Sequence, residues 1–547
     1  MEQEDTKKTQ EMKTDLNLLL ECLKHQMDSP FSQKETLVTI RSVCLHNSNA
    51  GAYFREIGGL MFVKNLAKSS DHSMVKEAAL CTLGAVAEQN VYCQQTLCTP
   101  ELFEDLTQFL SNNESNINLK RTSVYVILVL VSHNRTGQTL VRETGCIKVL
   151  LQLFRTVLSQ SELNLSDKNV FQRYQLWSSV CSTLCATVNN PRNDDNQAMC
   201  RSLFPHANEW LINCMHPEII RPICSFIGLT LSNNTYVQNY FISVGGLDIL
   251  SQVLVKLESD SHKTFSSAKL AVVVAKTVNA CIADNPTFRV ILYKYHIVSK
   301  LLALLLHESL DSGEKSSIIL TLGHCTEDCV ENQYDLFKNN GLPLMIQALT
   351  ESQNDELNRA ATFVLHNCKK ISEKLSLNPE EYSFNKNGAE QCNNINVKEN
   401  LQEYWKKAKE ILHRIKQFER EDEGHIERNN YKASVSPVKL NTKKFLHADN
   451  PDRGTQAEDV DKSQSSQPQN CKSHGVIAKA CTRVDQMHTL LKNANPVSAC
   501  YRESRKNKTL LKANSSCNQN LNEKTTFERD TFASQSRSIY VMFRHNK

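Results

Sequence analysis

Three features of the first 350 residues predict an all-α fold built from repeats. An apolar stretch with helical spacing runs into an Asn seven times. A second marker, often Gly, follows each Asn after eleven residues, or nine in the last copy, and a short leucine-rich run comes after it. The pairs are Asn47 and Gly58, Asn90 and Glu101, Asn134 and Gly145, Asn196 and Ala207, Asn234 and Gly245, Asn285 and His296, and Asn332 and Gly341.

The spacing of the second markers predicts the type of repeat. They recur at intervals of 43, 44, 62, 38, 51 and 45 residues. A period of about 40–47 residues made only of helices is typical of armadillo and HEAT repeats. Since one such repeat cannot bury its own apolar face, neighbours stack into a continuous core. We therefore expect a right-handed armadillo/HEAT-type α-solenoid over residues 15–378 that binds partners rather than catalyses a reaction.

Each repeat is predicted to contain three helices. The Asn caps a short first helix, because its side-chain oxygen can accept an orphan backbone N–H. A Gly then breaks that helix, because Gly enters the left-handed region without cost. A second helix follows, and a longer third helix carries small and apolar residues at 3–4 spacing. The predicted repeat-defining turns are Gly58, Gly145, Gly245 and Gly341.

Two polar excursions account for the 62-residue interval. They are residues 159–169 and residues 189–197, and we expect both to be surface loops. Insertions in solenoids usually map to loops on one face, so these loops are either tolerated insertions or part of a recognition surface.

The periodicity ends at about residue 378. An amphipathic helix is predicted over residues 397–422, with an apolar seam of about two and a half heptads that could dimerise, dock on the solenoid or bind a partner helix.

Residues 425–547 are predicted to be a disordered basic tail. They carry 21 Lys and Arg against 11 Asp and Glu, net +10, whereas the first 424 residues carry 42 against 48, net −6. Such a tail is either simply solvated or contacts an anionic partner such as nucleic acid. Ser436, in a Ser-Pro-x-Lys pattern, is a candidate phosphorylation site.

Composition and motifs favour an intracellular protein without chemistry of its own. The 20 Cys include no Cys-x-x-Cys pair, so we expect reduced, buried thiols. The sequence has no run of 18 uncharged apolar residues, which argues against membrane insertion, and no known catalytic, phosphate-binding or zinc-binding motif. We expect no metal and no cofactor. The cluster around His324 and Cys325 is expected to belong to a helix and loop rather than to a metal site.

The third helices are predicted to line a groove for helical or folded partners. Armadillo proteins that clamp extended peptides carry an Asn ladder five residues before the Asn marker. This chain has Ala85, Val129, Leu229 and Ala280 there, and Cys185 lies five residues before Asn190. It also has only three Trp, at positions 177, 210 and 405. The residues at which mutagenesis of this groove would start are Lys120, Arg121 and Tyr125.

Three irregular stretches, residues 14–23, 53–66 and 327–337, resemble the armadillo-repeat subunits of the meiotic telomere complex. The resemblance extends to about residue 530. It implies a nuclear scaffold that joins telomeres to the inner nuclear membrane in meiotic prophase and supports telomere movement and homologous chromosome pairing. It further implies five kinds of partner: a second bouquet-formation subunit, a membrane-anchored junction subunit, a telomeric shelterin subunit, SUN-domain envelope proteins and meiotic cohesin.

The end of the chain departs from that family, whose members close with a Myb-like domain containing spaced Trp. Here no Trp follows Trp405. We therefore interpret the sequence as a form that lacks this domain, which argues against direct DNA binding and against binding of the shelterin subunit. The alternative function is that of a general armadillo cargo or cytoskeletal adaptor.

Overall fold

The computed structural model describes residues 2–25, 29–47, 49–161, 163–261 and 264–369, together with residue 413. These residues form α-helices and two 3-10 helices and contain no strand, so the predicted all-α class is confirmed. Residues 370–378, most of the predicted helix at 397–422, and the predicted tail with Ser436 lie outside the described residues.

The helices within these ranges are α1 (Glu2–His25), α2 (Pro30–His46), α3 (Ala50–Glu56), α4 (Gly59–Ser69), α5 (Ser73–Gln89), α6 (Val91–Leu97), α7 (Pro100–Ser111), α8 (Ile117–Val131), α9 (Arg135–Glu143), α10 (Cys146–Thr156), α11 (Lys168–Val188), α12 (Asp194–Cys200), α13 (Phe204–Asn213), α14 (Pro217–Leu231), α15 (Thr235–Ser243), α16 (Gly246–Ser261), α17 (Phe265–Ile282), α18 (Val290–Lys294), α19 (Ile297–Leu305), α20 (Ser312–Thr326), α21 (Val330–Lys338), α22 (Gly341–Glu351) and α23 (Asp355–Asn367).

From α3 onward the helices form seven consecutive triplets. In each triplet a short first helix and a second helix precede a longer third helix, as in α3, α4 and α5. The third helices are α5, α8, α11, α14, α17, α20 and α23, and each packs against the third helix of the next triplet. Because every triplet buries its apolar face against its neighbours, the seven share one continuous core. The predicted α-solenoid is therefore confirmed.

Two helices precede the first triplet. α2 packs against α5 as though it were a third helix, and α1 packs on α2 and α3. The apolar side of α1 is buried through Met12, Leu16, Leu20 and Leu23, at the 3–4 spacing of a helix face. The predicted solenoid start at residue 15 lies inside α1. Charged and polar residues fill the first turns of α1, which is why its hydrophobic periodicity begins only at Met12.

The turn between first and second helices is left-handed in five triplets. Gly58, Gly145 and Gly245 have φ values of 81°, 75° and 79° and immediately precede the second helix. In the seventh triplet the left-handed residue is Asn340, with φ of 56°, and Gly341 is the first residue of α22. The turn assigned to Gly341 therefore lies one residue earlier. The shift is possible because Asn enters the left-handed region more readily than most residues.

Gly341 corresponds instead to the second Gly of the Gly-Gly pairs in the first and fifth triplets. A Cβ on any of these three residues would collide with an apolar side chain of the preceding first helix. The colliding pairs are Gly59 with Phe54, Gly246 with Phe241, and Gly341 with Leu336. The second Gly thus lets the first and second helices approach closely.

The other second markers vary in their structure. His296 is left-handed, with φ of 51°, and immediately precedes α19. Glu101 lies in the first turn of α7, and Ala207 lies inside α13. A common sequence offset therefore did not guarantee a common turn.

The predicted Asn caps form in two triplets and are displaced in three. Asn134 and Asn285 hold the N-cap position in the other two without a capping side-chain hydrogen bond. Asn90 and Asn234 accept hydrogen bonds from the N–H groups of Cys93 and Val237. Asn196 and Asn332, by contrast, lie inside α12 and α21. The N-cap residues of those two helices are Asn193 and Cys329, and in the first triplet the N-cap is Asn49 rather than Asn47.

The two polar excursions differ in structure. The described residues between α10 and α11 form a loop up to Asp167, whose carboxylate caps α11. The second excursion is a loop only as far as Asn193, because Asn196 and Gln197 lie inside α12 and are fully buried. The polar composition of this stretch thus reflects buried hydrogen bonds rather than solvent exposure.

Candidate protein-binding surface

The row of third helices is held together by buried hydroxyl groups. A Thr on one third helix donates to a backbone carbonyl of the preceding helix in that row. The pairs are Thr82 with Leu37 at 3.0 Å, Thr183 with Val124 at 3.4 Å, Thr277 with Cys224 at 3.3 Å, and Thr321 with Ala275 at 3.5 Å. Each Thr also bonds to its own helix, so a buried hydroxyl is satisfied while it fixes the register between repeats.

A second ladder, of glutamines, joins four of the first helices to the ends of their own third helices. Four Gln side chains donate through Nε2 to carbonyls that have no partner within the helix. Gln94 bonds Val129 and Ser132, Gln138 bonds Ala186, Asn189 and Pro191, Gln197 bonds Leu229 and Ser232, and Gln238 bonds Ala280 and Ala283, at 2.7–3.3 Å.

Arg289 takes the place of this Gln in the sixth triplet. Its guanidinium donates to the backbone oxygen and to Oε2 of Glu327, both at 2.6 Å, just after the end of α20. The Arg289 side chain is 2% exposed. A charged donor thus satisfies the same helix end that an amide satisfies elsewhere.

Two displaced Asn markers also act between triplets. Asn196 donates to Gln138 O and Thr187 O, and Asn332 donates to Arg289 O and Cys325 O. Both side chains are fully buried. They join consecutive first helices to the end of the third helix between them, a role that a cap prediction does not include.

The predicted groove residues are less accessible than expected. Tyr125 is 5% exposed and donates its hydroxyl to Glu88 Oε2 at 2.7 Å, and Arg121 is 9% exposed. Lys120 is half-buried. Mutating Arg121 or Tyr125 would therefore perturb packing as well as recognition. Periodicity alone did not show that α8 is buried from Arg121 to Val131.

Gly residues allow the third helices to approach one another. A Cβ on Gly84 would lie 2.5 Å from Cε1 of Tyr125 on the next third helix. Gly323 has the same relation to Phe363. At both places an aromatic ring fills the notch that the Gly leaves and closes that part of the third-helix face.

The starts of the first helices form a different, exposed edge. Tyr92 is 66% exposed and Tyr236 is 61% exposed. The guanidinium of Arg55 lies 5.5 Å from the ring centre of Tyr92, and that of Arg201 lies 4.6 Å from the ring centre of Tyr236. Each pair thus presents an aromatic ring and a cation at the surface.

The cysteines of the described ranges are packing residues. Thirteen are buried, Cys98 is partly buried and Cys22 is exposed. Burial raises the pKa of Cys44, Cys81 and Cys146 to about 12, so these thiols stay protonated at neutral pH.

The His324 cluster is engaged in packing. His324 Nδ1 lies 2.6 Å from Asn279 Oδ1, and its ring packs edge-on against Phe363. Cys325 is fully buried. Within the described ranges, no group of three His, Cys, Asp or Glu side chains is placed to hold a metal ion.

No single helix in the described part of the chain is long and apolar enough to cross a membrane. Only α15 and α16 taken together, at an angle of 73° to each other, satisfy that criterion, and they do so by length and composition alone.

Seven stacked helix triplets with a row of third helices define an armadillo-type α-solenoid, a class of protein whose repeats present an extended binding surface. The chain is 77% identical over 541 residues to "Telomere repeats-binding bouquet formation protein 1" of Homo sapiens, covering 98% of this chain and 74% of that protein. It is 63% identical over 543 residues to the Mus musculus protein of the same name, covering 98% of this chain and 70% of that protein. The chain therefore belongs to the telomere repeats-binding bouquet formation protein 1 family.

More distant comparisons are weaker. A Danio rerio protein of the same name is 43% identical over 410 residues, covering 75% of this chain and 48% of that protein. No protein-family model matches. Similar solved structures include an engineered protein, with TM-score 0.49, 17% identity and coverage of 65% of this chain and 78% of that chain. Another is a designed armadillo repeat protein in complex with a (KR)4 peptide, with TM-score 0.35, 16% identity and coverage of 48% and 99%.

Proposed function

We propose that this chain is a non-enzymatic scaffold of the meiotic telomere complex. It acts in the nucleus, at telomeres and the inner nuclear membrane, where it helps attach telomeres and supports their movement and the pairing of homologous chromosomes. The observation that carries the proposal is the 77% identity to a relative whose name contains both telomere repeats and bouquet formation.

The architecture supports a scaffold in a second way. Seven triplets pack through consecutive third helices into one continuous array, and Thr hydroxyls add hydrogen bonds between third helices at some of these junctions. Such an array presents many side chains in constant register, which suits the simultaneous binding of several proteins. The proposed partners are SUN-domain envelope proteins, meiotic cohesin, a second bouquet-formation subunit, a membrane-anchored junction subunit and a telomeric shelterin subunit.

Affinity purification of the tagged full chain from meiotic testis extract, read by mass spectrometry, tests this proposal. Recovery of SUN-domain proteins or meiotic cohesin supports it. The same bait in somatic extract is one control, and an unrelated armadillo solenoid in testis extract is another. Recovery of cytoplasmic cargo or cytoskeletal proteins in both extracts would favour a general adaptor instead.

A further inference from the structure

Three third helices carry Gly at the same place in the repeat. Each of these Gly lies six residues before the N-cap residue of the next first helix. The pairs of Gly and N-cap are Gly84 and Asn90, Gly228 and Asn234, and Gly323 and Cys329. Because the offset is constant, all three leave a notch on the same face of the row.

Only one of the three notches is open. Tyr125 and Phe363 of the following third helices fill the notches at Gly84 and Gly323. At Gly228, an added Cβ would meet a single neighbour, the Cβ of Ala280, at 4.0 Å. The place that an aromatic ring fills at Gly84 and Gly323 is thus not filled by a ring at Gly228, between α14 and α17.

Lys276 occupies the sequence position from which a ring would come. It lies nine residues before Asn285, as Tyr125 lies nine residues before Asn134, and one helical turn before Ala280. Its side chain is half-buried and has no hydrogen bond or ion pair among the described residues. Burial lowers its pKa, while the carboxylates of Glu314 and Asp311 partly oppose that shift. Glu314 already pairs with Lys269 and with the Asp311 backbone N–H.

We propose that the notch between Gly228, Ala280 and Lys276 binds an aromatic side chain of a partner protein, and that a neighbouring carboxylate of the same partner segment pairs with Lys276. The other two notches of this chain show that an aromatic ring fits such a recess. A half-buried ammonium that forms no direct ion pair favours an acidic segment, and it also favours the face of a ring. This inference rests on the proposed function only in supposing that the solenoid binds proteins.

The test is fluorescence anisotropy with the full chain and a labelled peptide of sequence Asp-Glu-Phe-Glu-Asp. Two matched peptides replace Phe with Ala, or the acids with their amides. We expect the Phe peptide to bind at least about tenfold tighter than the Ala peptide, as for an aromatic anchor in a preformed pocket. The amide peptide should bind the wild-type chain more weakly than the acidic peptide does. This difference in affinity should disappear when Lys276 is replaced.

Variants of the chain distinguish binding of the peptide in the notch from nonspecific electrostatic attraction to the surface. Gly228→Leu fills the recess and should abolish the preference for Phe, and Lys276→Tyr should do the same by supplying a ring from within the chain. Gly228→Ala tests the fold, because its Cβ has room. Lys148→Gln removes an exposed charge on α10, a second helix, and should leave peptide binding unchanged.

Several outcomes would overturn the proposal. They are no saturable binding at millimolar peptide, equal binding of the Phe and Ala peptides, or unchanged binding to folded Gly228→Leu protein. Binding that arises only after proteolysis removes residues 370–547 would assign the notch to the chain itself rather than to a partner. Recovery of meiotic partners without peptide binding removes this inference alone, whereas peptide binding without those partners removes only the proposed function.

Discussion

Tyr125 lies over Gly84 so closely that a single added methyl group would stand 2.5 Å from its Cε1 atom. The same ring donates its hydroxyl to Glu88, one turn farther along α5. One aromatic side chain therefore fixes the distance and the register between α5 and α8. Gly228, at the equivalent place in α14, has no such neighbour.

This difference predicts opposite effects of the same substitution. Gly84→Ala should destabilise the solenoid by about 1–3 kcal/mol, because overpacking forces the ring or the helix to move. Gly228→Ala should instead stabilise it by about 0.5–1 kcal/mol, because Ala in a helix loses less backbone entropy on folding. Urea unfolding followed by circular dichroism measures both. Equal changes in the free energy of unfolding of the two variants would show that Gly84 and Gly228 have equally crowded surroundings.

The Gln ladder predicts a large cost for one buried amide. Gln138→Leu removes the donor from three carbonyls at the end of α11 and should destabilise the chain by about 2–3 kcal/mol. Gln108→Leu is the matched control, because Gln108 is exposed on α7 and should change stability by less than about 0.5 kcal/mol. A Gln138→Leu variant as stable as the control would mean that these bonds contribute nothing.

The hydrogen bonds of Arg289 predict that two substitutions at this position lower the stability of the chain by different amounts. Arg289→Ala leaves the Glu327 carboxylate and the end of α20 without their donor, and should cost about 2–4 kcal/mol. Arg289→Gln should recover part of that loss, because Gln serves the equivalent helix end in four other triplets. Thermal melts of the two variants give the comparison. Identical melting temperatures would contradict a shared capping role.

The buried thiols predict a loss of stability at alkaline pH. Burial raises the pKa of Cys81 to about 12, whereas an unfolded Cys titrates near about 8.5. Above that lower value the unfolded chain releases a proton that the folded chain keeps, so unfolding becomes easier as pH rises toward 12. Each such thiol should contribute up to about 1.4 kcal/mol per pH unit in that window.

Cys81→Ala should therefore flatten the dependence of unfolding free energy on pH between about 9 and 11, whatever its effect at neutral pH. Cys22→Ala is the control, because Cys22 is exposed, and its slope should match the wild type. A Cys81→Ala slope identical to that of the wild type would indicate that this thiol ionises equally well in both states.

The sequence predicted the repeat better than it predicted the contacts between repeats. Periodic apolar residues and an approximately constant interval led to the all-α solenoid because both reflect burial of one face of each helix. The same reasoning misplaced the seventh turn by one residue, since Asn340 can adopt the left-handed conformation that was assigned to Gly341.

The hydrogen bonds of the buried Gln and Asn side chains were not predicted, for a different reason. Asn196 and Gln197 were expected to lie in a surface loop, and no role was predicted for Gln138, yet all three are buried. Their partners are backbone carbonyls that lie 9–58 positions away, and a carbonyl leaves no trace in a sequence. A regular signal was nevertheless present, because Gln94, Gln138 and Gln238 each lie four residues after the Asn marker of their triplet. The open notch at Gly228 likewise depends on the side chain of a neighbouring helix, which only the structure shows.

Localisation of the tagged full chain in meiotic spermatocytes tests the proposed function most directly. If this chain is a scaffold of the meiotic telomere complex, it should form foci at chromosome ends that coincide with the nuclear envelope in prophase. A signal that stays diffuse, or that lies in the cytoplasm, while telomeres are attached to the envelope would contradict the account.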